Sequence, residues 1–285
     1  MSDPRPIAVI DSGLGGLTLV RAIHRALPCE QIISFADTAR LPYGPRTPQT
    51  IIGFARQIVR FVQSENPKHV LLGCNTLSAI ALDAIRAEFP DISISGVIEP
   101  TARAAVEAAG AANAPLLAIV ATEATLRSKA YERALARRRN RATLLLRPAP
   151  LLVPMIEEGR DATDPLVRLA LRQYLHPLMA RGIQVLILGC THYGVYKSAI
   201  AQMVGGGVAV VDASQRCADD VTRRLRSANR LRAGGAGQLR SFVTDDPARY
   251  RVLAGKMVGL TIDEPEWVPL EDLPSAEPAR VRAAG

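Results

Sequence analysis

The strongest constraint on the fold of this chain is an internal repeat in which an apolar run ends in Gly-Cys. The first copy spans residues 70–76 and contains Cys74; the second spans residues 185–192 and contains Cys190, 116 residues later. Such a run is typical of a buried parallel strand, and open α/β sheets bind their ligands at the carboxyl ends of these strands. The repeat therefore predicts two thiols that face one cleft from equivalent positions in two halves of the chain.

A second pair of segments supports this division into halves. The apolar run 7–10 leads into a polar loop that begins at Asp11, 63 residues before the first thiol. The apolar run 116–120 leads into a loop that contains Thr122, 68 residues before the second thiol. Each half therefore resembles one α/β unit with a polar loop after its first strand and a thiol after a later one.

Short apolar runs alternate with helical patterns along the chain, which is the arrangement typical of parallel sheets. The expected strands lie near residues 6–10, 32–36, 69–73, 94–97, 116–120, 143–147, 185–189 and 208–211. We predict an α/β fold with two domains, each a mainly parallel sheet flanked by helices. The expected boundaries give a discontinuous first domain, a second domain and a flexible tail: residues 1–97 plus 210–270, residues 98–209 and residues 271–285.

Composition limits the class of protein. With 285 residues, of which 48% are hydrophobic, the chain can bury one large core or two smaller ones. No apolar run reaches about 18 residues and no hydrophobic signal segment precedes the first strand, so we expect a cytoplasmic protein without a membrane partner. The cysteines at positions 29, 74, 190 and 217 form no CxxC pair and show no metal-site spacing. We therefore expect free thiols and no metal.

The net charge of +8 raises the question of a nucleic-acid partner, and the densest basic cluster spans residues 137–141. That cluster closes a helical pattern that begins near Thr125, where cations complement the negative end of a helix. Only 4% of the residues are aromatic, which leaves few side chains for base stacking. We do not expect nucleic acid as a partner, but a basic interaction protein stays open as an alternative from another class.

The two repeated cysteines favour catalysis. A single cysteine at the end of a strand is most often a small buried hydrophobic residue. Cys74 and Cys190, however, occupy matching positions, and each follows a glycine that could let a ligand approach the backbone. A thiolate suits proton removal from carbon because its pKa, about 8.5 in water, falls beside positive charge. One thiolate could take an α-proton while the opposite thiol returns one to the other face, which would invert the carbon centre.

The loop of residues 11–16, with the sequence DSGLGG, follows the first strand. It lacks the third glycine of the dinucleotide fingerprint and the lysine of a P-loop, and its carboxylate would repel phosphate. Asp11 could instead help a nearby thiol to lose or regain its proton, while backbone N–H groups from Ser12 to Gly16 bind a substrate carboxylate. We interpret this loop as part of an acid/base site.

Further candidate residues follow strands of both halves. His192 lies two residues after the second thiol and could serve it as a proton-transfer partner. The loop 37–44 follows an apolar strand, and Tyr43 and Gly44 within it could offer backbone donors. Glu157 is ambiguous from its chemistry alone, because a surface helix is an equally good interpretation of its surroundings. We expect structural roles for the other histidines, at positions 24, 69 and 176.

Six separated motifs occur in the order found in one enzyme family: IDSGLGGL, DTARLPYGPRT, GCNTLSAIAL, GVIEPTARAA, LLVPMIEEG and LILGCTHYG. Over roughly residues 7–225 the chain therefore resembles the glutamate racemases, within the cofactor-independent Asp/Glu racemase family. The resemblance implies two α/β domains related by a pseudo-twofold axis, with the active site between them. It also implies interconversion of L- and D-glutamate without a cofactor, supply of D-glutamate for peptidoglycan synthesis, and a homodimer.

The resemblance assigns roles to residues by motif. Cys74 and Cys190 would be the two acid/base residues, of which the first takes the proton from D-glutamate and the second from L-glutamate. Asp11 would assist Cys74, whereas His192 and Glu157 would lie beside Cys190. The substrate-binding residues would be Asp11, Ser12, Tyr43, Gly44, Asn75, Thr76, Thr122, Thr191 and His192.

Three residues depart from the pattern that the family usually shows. Gly73 stands where alanine is usual, Leu77 where a small residue is usual, and Gly194 where proline often follows His-Tyr. None of the three removes a catalytic group. Leu77 and Gly194 are the positions at which the shape of the pocket would differ from that of the family.

The nearest alternative is an aspartate racemase or a related two-cysteine carbon-acid enzyme, which shares the two-thiol architecture. The motifs around Tyr43 and His192 favour glutamate. A pyridoxal-phosphate enzyme needs a lysine that forms a Schiff base. None of the four lysines, at positions 68, 129, 197 and 256, ends a strand beside a glycine-rich phosphate loop.

Overall fold

Two parallel sheets form the frame of the protein in a computed structural model, which describes residues 2–110, 114–138 and 141–277. The strands are β1 (Ile7–Asp11), β2 (Ile32–Ala36), β3 (His69–Leu72), β4 (Ile94–Gly96), β5 (Leu116–Ala121), β6 (Thr143–Pro148), β7 (Val185–Gly189), β8 (Ala209–Val211), β9 (Leu239–Val243) and β10 (Glu266–Trp267). All eight expected strands are present, each within one residue of its expected bounds. The central strands are buried along their whole length, which explains their unbroken apolar runs.

The strand order repeats between the two sheets. The first sheet has the order β10-β9-β2-β1-β3-β4 and the second has the order β6-β5-β7-β8. The described strands pair in parallel throughout. The order β2-β1-β3-β4 is therefore equivalent to β6-β5-β7-β8, and the first sheet is extended beyond β2. The predicted α/β class with two equivalent halves is confirmed.

Helices cover both sheets. They are α1 (Gly16–Ala26), α2 (Pro48–Gln63), α3 (Asn75–Ile80), α4 (Leu82–Glu88), α5 (Ile98–Ala109), α6 (Glu123–Arg127), α7 (Ala130–Ala136), α8 (Leu152–Glu157), α9 (Pro165–Met179), α10 (Lys197–Val204), α11 (Ser214–Ser227) and α12 (Pro247–Leu253). Shorter 3-10 turns span Thr38–Arg40, His192–Tyr196 and Leu270–Asp272, and a π-helical turn spans Ala254–Val258. In the part of the chain that the structure describes, no helix combines the length and the apolar character needed to cross a bilayer.

The helix that follows the last repeated strand of each half packs against the other half. Helix α5 follows β4 of the first sheet and contacts β7 and β8 of the second sheet. Helix α11 follows β8 of the second sheet and packs along α1, which lies on the first sheet. One apolar cluster therefore contains residues of both sheets, including Val9 on β1 and Leu117 on β5. Burial of this shared core holds the two halves together.

The domain boundaries stay a prediction, but strand pairing bears on one of them. The expected return to the first domain at residue 210 falls inside β8. This strand pairs with β7, since Ala209 lies opposite Val185 and Val211 lies opposite Ile187. A crossing after Val211 keeps the second sheet whole, and we propose the boundary there.

The helical pattern expected to begin near Thr125 forms two helices, α6 and α7, rather than one. The break lies at Lys129, whose φ of 54° is in the left-handed region. After α7, Arg137 and Arg138 form ion pairs with Glu99 of α5. Two charges of the basic cluster are thus paired within the protein, and residues 139–140 of the cluster lie outside the described residues.

Residues 271–276, expected to belong to a flexible tail, instead pack against α2. Two arginines of α2 donate hydrogen bonds to the backbone oxygens of Ser275 and Ala276, each at 2.6 Å. Leu273 is buried in the apolar cluster beneath that helix. The local sequence does not indicate these contacts because the arginines that make them are distant along the chain, and the flexibility of the tail stays a prediction. Residues 278–285 lie outside the described part of the chain.

Candidate active site

The two repeated thiols lie at the carboxyl ends of equivalent strands. Cys74 follows β3 and is the N-cap residue of α3, whereas Cys190 follows β7. Their exposed fractions are only 5% and 7%. Asp11 ends β1 and Thr122 follows β5, so each thiol has a polar loop on the adjacent strand, as the sequence predicted.

The glycine before each thiol makes room for protein side chains rather than for a ligand. A Cβ atom at Gly73 would lie 2.8 Å from Cδ1 of Leu19, and one at Gly189 would lie 2.9 Å from Cβ of Ala121. Because protein interiors are close-packed, a side chain at either position would displace its neighbours. The expectation that these glycines admit a ligand was therefore wrong; they allow the strand ends to pack.

On the first side of the site, Ser12 connects Asp11 to Cys74. The Ser12 hydroxyl lies 3.5 Å from Sγ of Cys74 and 3.4 Å from Oδ1 of Asp11. Burial raises the pKa of Cys74 to about 12, and the negative charge of Asp11 acts in the same direction. Burial also raises the pKa of Asp11, although the nearby His192 favours its charged form. Cys74 is therefore a neutral thiol in the unliganded site and can act as a proton donor.

On the second side, His192 lies between Cys190 and Glu157. Its Nδ1 is 3.8 Å from Sγ of Cys190, and its Nε2 is 2.6 Å from Oε1 of Glu157. Burial alone would lower the pKa of His192, but the hydrogen bonds to Cys190 and Glu157 outweigh it and raise that pKa well above its usual value. Burial works against ionisation of Glu157 too, yet its hydrogen bond to His192 holds its pKa below the usual range. The result is a buried imidazolium–carboxylate pair in which Nδ1 of His192 faces the Cys190 sulfur.

Hydrogen bonds close to the thiols join the two sides of the site. Oγ1 of Thr191, beside the second thiol, donates to Oδ2 of Asp11 at 3.0 Å. In the opposite sense, the backbone N–H of Leu14 donates to Oε1 of Glu157 at 2.9 Å. Asp11 therefore contacts both halves, whereas the sequence suggested only its link to Cys74.

Three threonine hydroxyls form a buried cluster between the halves. The Oγ1 atoms of Thr76 and Thr122 are 3.0 Å apart, and Oγ1 of Thr125 lies 3.3 Å from the first and 3.0 Å from the second. Gly44 borders this cluster, because a Cβ atom there would lie 3.2 Å from Cβ of Thr122. Each hydroxyl can rotate its proton toward a ligand oxygen, so the cluster can bind a carboxylate.

Asn75 presents an unused donor. Its Oδ1 accepts a hydrogen bond of 2.7 Å from the hydroxyl of Tyr131 on α7. Its Nδ2 is buried and has no hydrogen-bond partner in the structure. A buried donor without a partner is unfavourable, which indicates a place for a ligand acceptor.

The hydroxyl of Tyr43 forms a hydrogen bond within its own loop. Its hydroxyl donates to Asp37, which also pairs with Arg40 at 2.7 Å and accepts a hydrogen bond from Thr244 at 3.0 Å. Tyr43 is 2% exposed. Any contact of Tyr43 with a ligand would therefore use its backbone, as the sequence suggested.

The residues matched by a family pattern decide the classification. The pattern of the "Asp/Glu/Hydantoin racemase" family matches residues 7–219. The chain belongs to this family. It is 38% identical over 267 residues to the glutamate racemase of Neisseria meningitidis serogroup A, covering 93% of this chain and 97% of that protein. The family pattern begins to match at β1 and ends within α11, so the matched residues include both thiols and both polar loops.

Solved structures of racemases share the fold. Glutamate racemase isoform RacE1 from Bacillus anthracis superposes with a TM-score of 0.87 at 30% identity, covering 94% of this chain and 98% of that chain. The glutamate racemase of Francisella tularensis in complex with D-glutamate superposes with a TM-score of 0.85 at 33% identity, covering 94% and 99%. The similarity therefore extends over both halves.

The structure brings the predicted site residues together near the two thiols, and it adds others. Tyr131, Thr125, Asp37 and Arg249 were not expected; Arg249 donates to the backbone oxygen of Glu157 at 2.9 Å. Thr125 and Asp37 had a visible signal, because they lie in the polar segments that follow β5 and β2. Among the residues that the structure describes, no group of three histidine, cysteine or acidic side chains could hold a metal ion.

Proposed function

We propose that this protein interconverts L- and D-glutamate by proton transfer between two thiols. The observation that carries the proposal is the unequal pairing of the thiols: Cys190 lies beside an imidazolium donor, and Cys74 lies beside a carboxylate reached through a hydroxyl. Cys74 is thus a neutral proton donor in the unliganded site, and the thiol on the opposite side has an imidazole within hydrogen-bonding distance. Glutamate is proposed as the substrate because the similar proteins are glutamate racemases.

With L-glutamate bound, the Cys190 thiolate removes the α-proton and the C–H electron pair remains on the α-carbon. Cys74 then gives its proton to the opposite face of that carbon, which yields D-glutamate. The thiols exchange roles for the reverse reaction. The chain of groups from Cys74 through Ser12 to Asp11 offers a route by which the Cys74 proton can leave, and the raised pKa of Asp11 suits a proton acceptor.

The donors around the cleft support binding of a dicarboxylate. One carboxylate would contact Nδ2 of Asn75 and the threonine hydroxyl cluster, since these are the buried donors available for an acceptor. Backbone N–H groups of Tyr43 and Gly44 would bind the other carboxylate. Asp11 would pair with the substrate ammonium group, because a buried carboxylate needs a positive partner.

The substrate is the point at which aspartate remains the alternative. A misplaced distal carboxylate would leave buried donors unpaired, which discriminates more strongly than one methylene group does. We therefore expect kcat/KM for L-glutamate to exceed that for L-aspartate by more than about 10²-fold. Comparable kcat/KM values for the two amino acids would contradict the assignment of glutamate as the preferred substrate.

The wider role is also a proposal. We infer that the product D-glutamate is used for peptidoglycan synthesis, that the protein works in the cytoplasm and that it forms a homodimer. The use of D-glutamate in peptidoglycan synthesis is supported by the similarity of this chain to glutamate racemases. Size measurement in solution tests the last one, and a monomer at working concentration would remove it.

The activity is tested by circular dichroism of both enantiomers with dialysed protein and no added cofactor. Substitution of Cys74 or Cys190 by alanine is expected to lower both rates by at least about 10²-fold, because each removes a general acid or base. Cys29→Ala is the matched control, since Cys29 is also a free thiol but lies outside the site. Racemisation that persists in either site variant, or that requires added pyridoxal phosphate, would contradict the proposal.

A further inference from the structure

Tyr131 contacts the candidate site through a hydrogen bond to Asn75. It lies on α7, after the second sheet's first strand, whereas Asn75 begins α3 on the other half. The Tyr131 side chain is buried, and its hydroxyl donates to Oδ1 of Asn75 at 2.7 Å. The side-chain amide of Asn75 is therefore held by Tyr131, which was not among the site residues predicted from the sequence.

The hydrogen bond determines which end of the amide is free. An asparagine side chain has an accepting oxygen at one end and a donating NH₂ at the other, and a rotation about the last bond exchanges them. The phenol proton can be given to Oδ1 but not to Nδ2. With Oδ1 held by Tyr131, the NH₂ group is the free end, and it is buried without a partner.

We propose that Tyr131 is a positioning residue that presents the NH₂ group of Asn75 to a carboxylate of the substrate. This inference rests on the proposed function for the identity of the substrate. The opposite amide orientation would place an oxygen against the carboxylate and replace an attraction by a repulsion. Because the amide contact exists before and during proton transfer, Tyr131 acts on substrate binding rather than on the chemical step.

The first test compares Tyr131→Phe with wild type. Removal of the phenol oxygen leaves the amide free to rotate, so we expect KM to rise about tenfold for both enantiomers while kcat changes by less than about threefold. The α-deuterium isotope effects should stay as in wild type. Tyr196→Phe is the matched control, because it removes a hydroxyl that donates to the backbone oxygen of Arg160, also at 2.7 Å, rather than to a residue of the candidate site. That variant should keep the wild-type KM.

A double-mutant comparison separates positioning from general stability. If Tyr131 acts through Asn75, then Tyr131→Phe should raise KM by less than about twofold in an Asn75→Ala background. An equal rise in KM in both backgrounds would overturn the inference. So would a Tyr131→Phe variant whose KM equals that of wild type and of Tyr196→Phe.

A second variant keeps the Tyr131 hydrogen bond and so does not depend on the folding of Tyr131→Phe. Asn75→Asp replaces the free NH₂ by oxygen and should weaken glutamate binding by at least about tenfold, measured by titration calorimetry. Unchanged affinity would show that an acceptor, not a donor, faces the substrate, and would overturn the inference. Calorimetry reports binding without turnover. A wild-type protein that binds glutamate but does not racemise it would therefore contradict the proposed function and leave this inference to be decided by the variants.

Discussion

Oε1 of Glu157 lies 2.6 Å from Nε2 of His192, and the same oxygen accepts the N–H of Leu14 at 2.9 Å. One carboxylate oxygen thus ties the imidazolium of one half to the glycine loop of the other half. The bond also fixes the orientation of the ring, so that Nδ1 faces Cys190. The imidazole that faces the second thiol is therefore held in place by a residue that also contacts the other half.

Glu157→Gln should weaken this half of the site. Loss of the ion pair removes a charge-assisted hydrogen bond, so we expect kcat/KM to fall about 10- to 100-fold. The two enantiomers have equal free energy in solution, so the fall must be the same in both directions. The α-deuterium isotope effect should rise mainly for L-glutamate, because its proton is removed by Cys190. Glu158→Gln is the control, since Glu158 is exposed and pairs with Arg160 at the surface.

Asp11→Asn and Ser12→Ala should show the reverse asymmetry. Ser12 connects Cys74 to its proton acceptor Asp11, so each substitution should make proton removal from D-glutamate more rate-limiting. We expect the isotope effect to rise mainly for D-glutamate, measured with α-deuterated substrates of both configurations. His192→Asn should follow Glu157→Gln. Equal isotope effects for both enantiomers in all of these variants, despite lowered rates, would show that neither group serves one thiol.

A single methyl group should disturb the Glu157 oxygen. A Cβ atom at Gly13 would lie 2.5 Å from Oε1 of Glu157 and would also meet the end of Leu41. Gly13→Ala should therefore lower kcat/KM at least about tenfold, with overpacking that costs about 1–3 kcal/mol of folding stability. Gly194→Ala is the matched control, because the nearest atoms to its Cβ lie 3.8 Å away. Similar activities of the two variants would contradict the assigned role of Glu157.

Most of the fold could be predicted from the sequence because the strands are short, buried and apolar on both faces. The pairing of β8 with β7, on which the proposed domain boundary rests, and the docking of residues 271–276 could not, since both depend on contacts with distant segments. The same holds within the site. Thr191 and Asp11 are 180 residues apart in sequence and meet only because the two sheets face each other. The side chain of Tyr131 has no local pattern that distinguishes it from a core residue.

The sequence predicted a structural role for His69 but not its burial. Burial of this histidine makes the folding stability depend on pH. Its ring lies 2.9 Å from Oγ of Ser93 and 2.8 Å from Oγ of Ser95, and burial lowers its pKa to about 4. The unfolded chain binds a proton near pH 6.5 and the folded protein only near pH 4, so stability falls as the pH drops through this window.

Between pH 7 and 4.5 the contribution of His69 to this loss is about 2 kcal/mol. His69→Gln should therefore reduce the difference in unfolding free energy between the two pH values by about that amount, measured by urea titration. His176→Gln, at an exposed histidine, should leave the difference unchanged. A pH dependence in His69→Gln equal to that of wild type would refute the buried neutral histidine.

The central claim, that two thiols on opposite faces exchange protons with one substrate, is tested most directly by racemisation of protiated L-glutamate in deuterium oxide. Proton NMR and chiral separation at early times follow the α-position of each enantiomer. Because the donor Cys74 carries a solvent-derived deuteron, the D-glutamate formed should contain α-deuterium from the first turnovers while the remaining L-glutamate stays protiated. D-glutamate that retains the original α-proton, or L-glutamate that exchanges faster than it is racemised, would contradict the account.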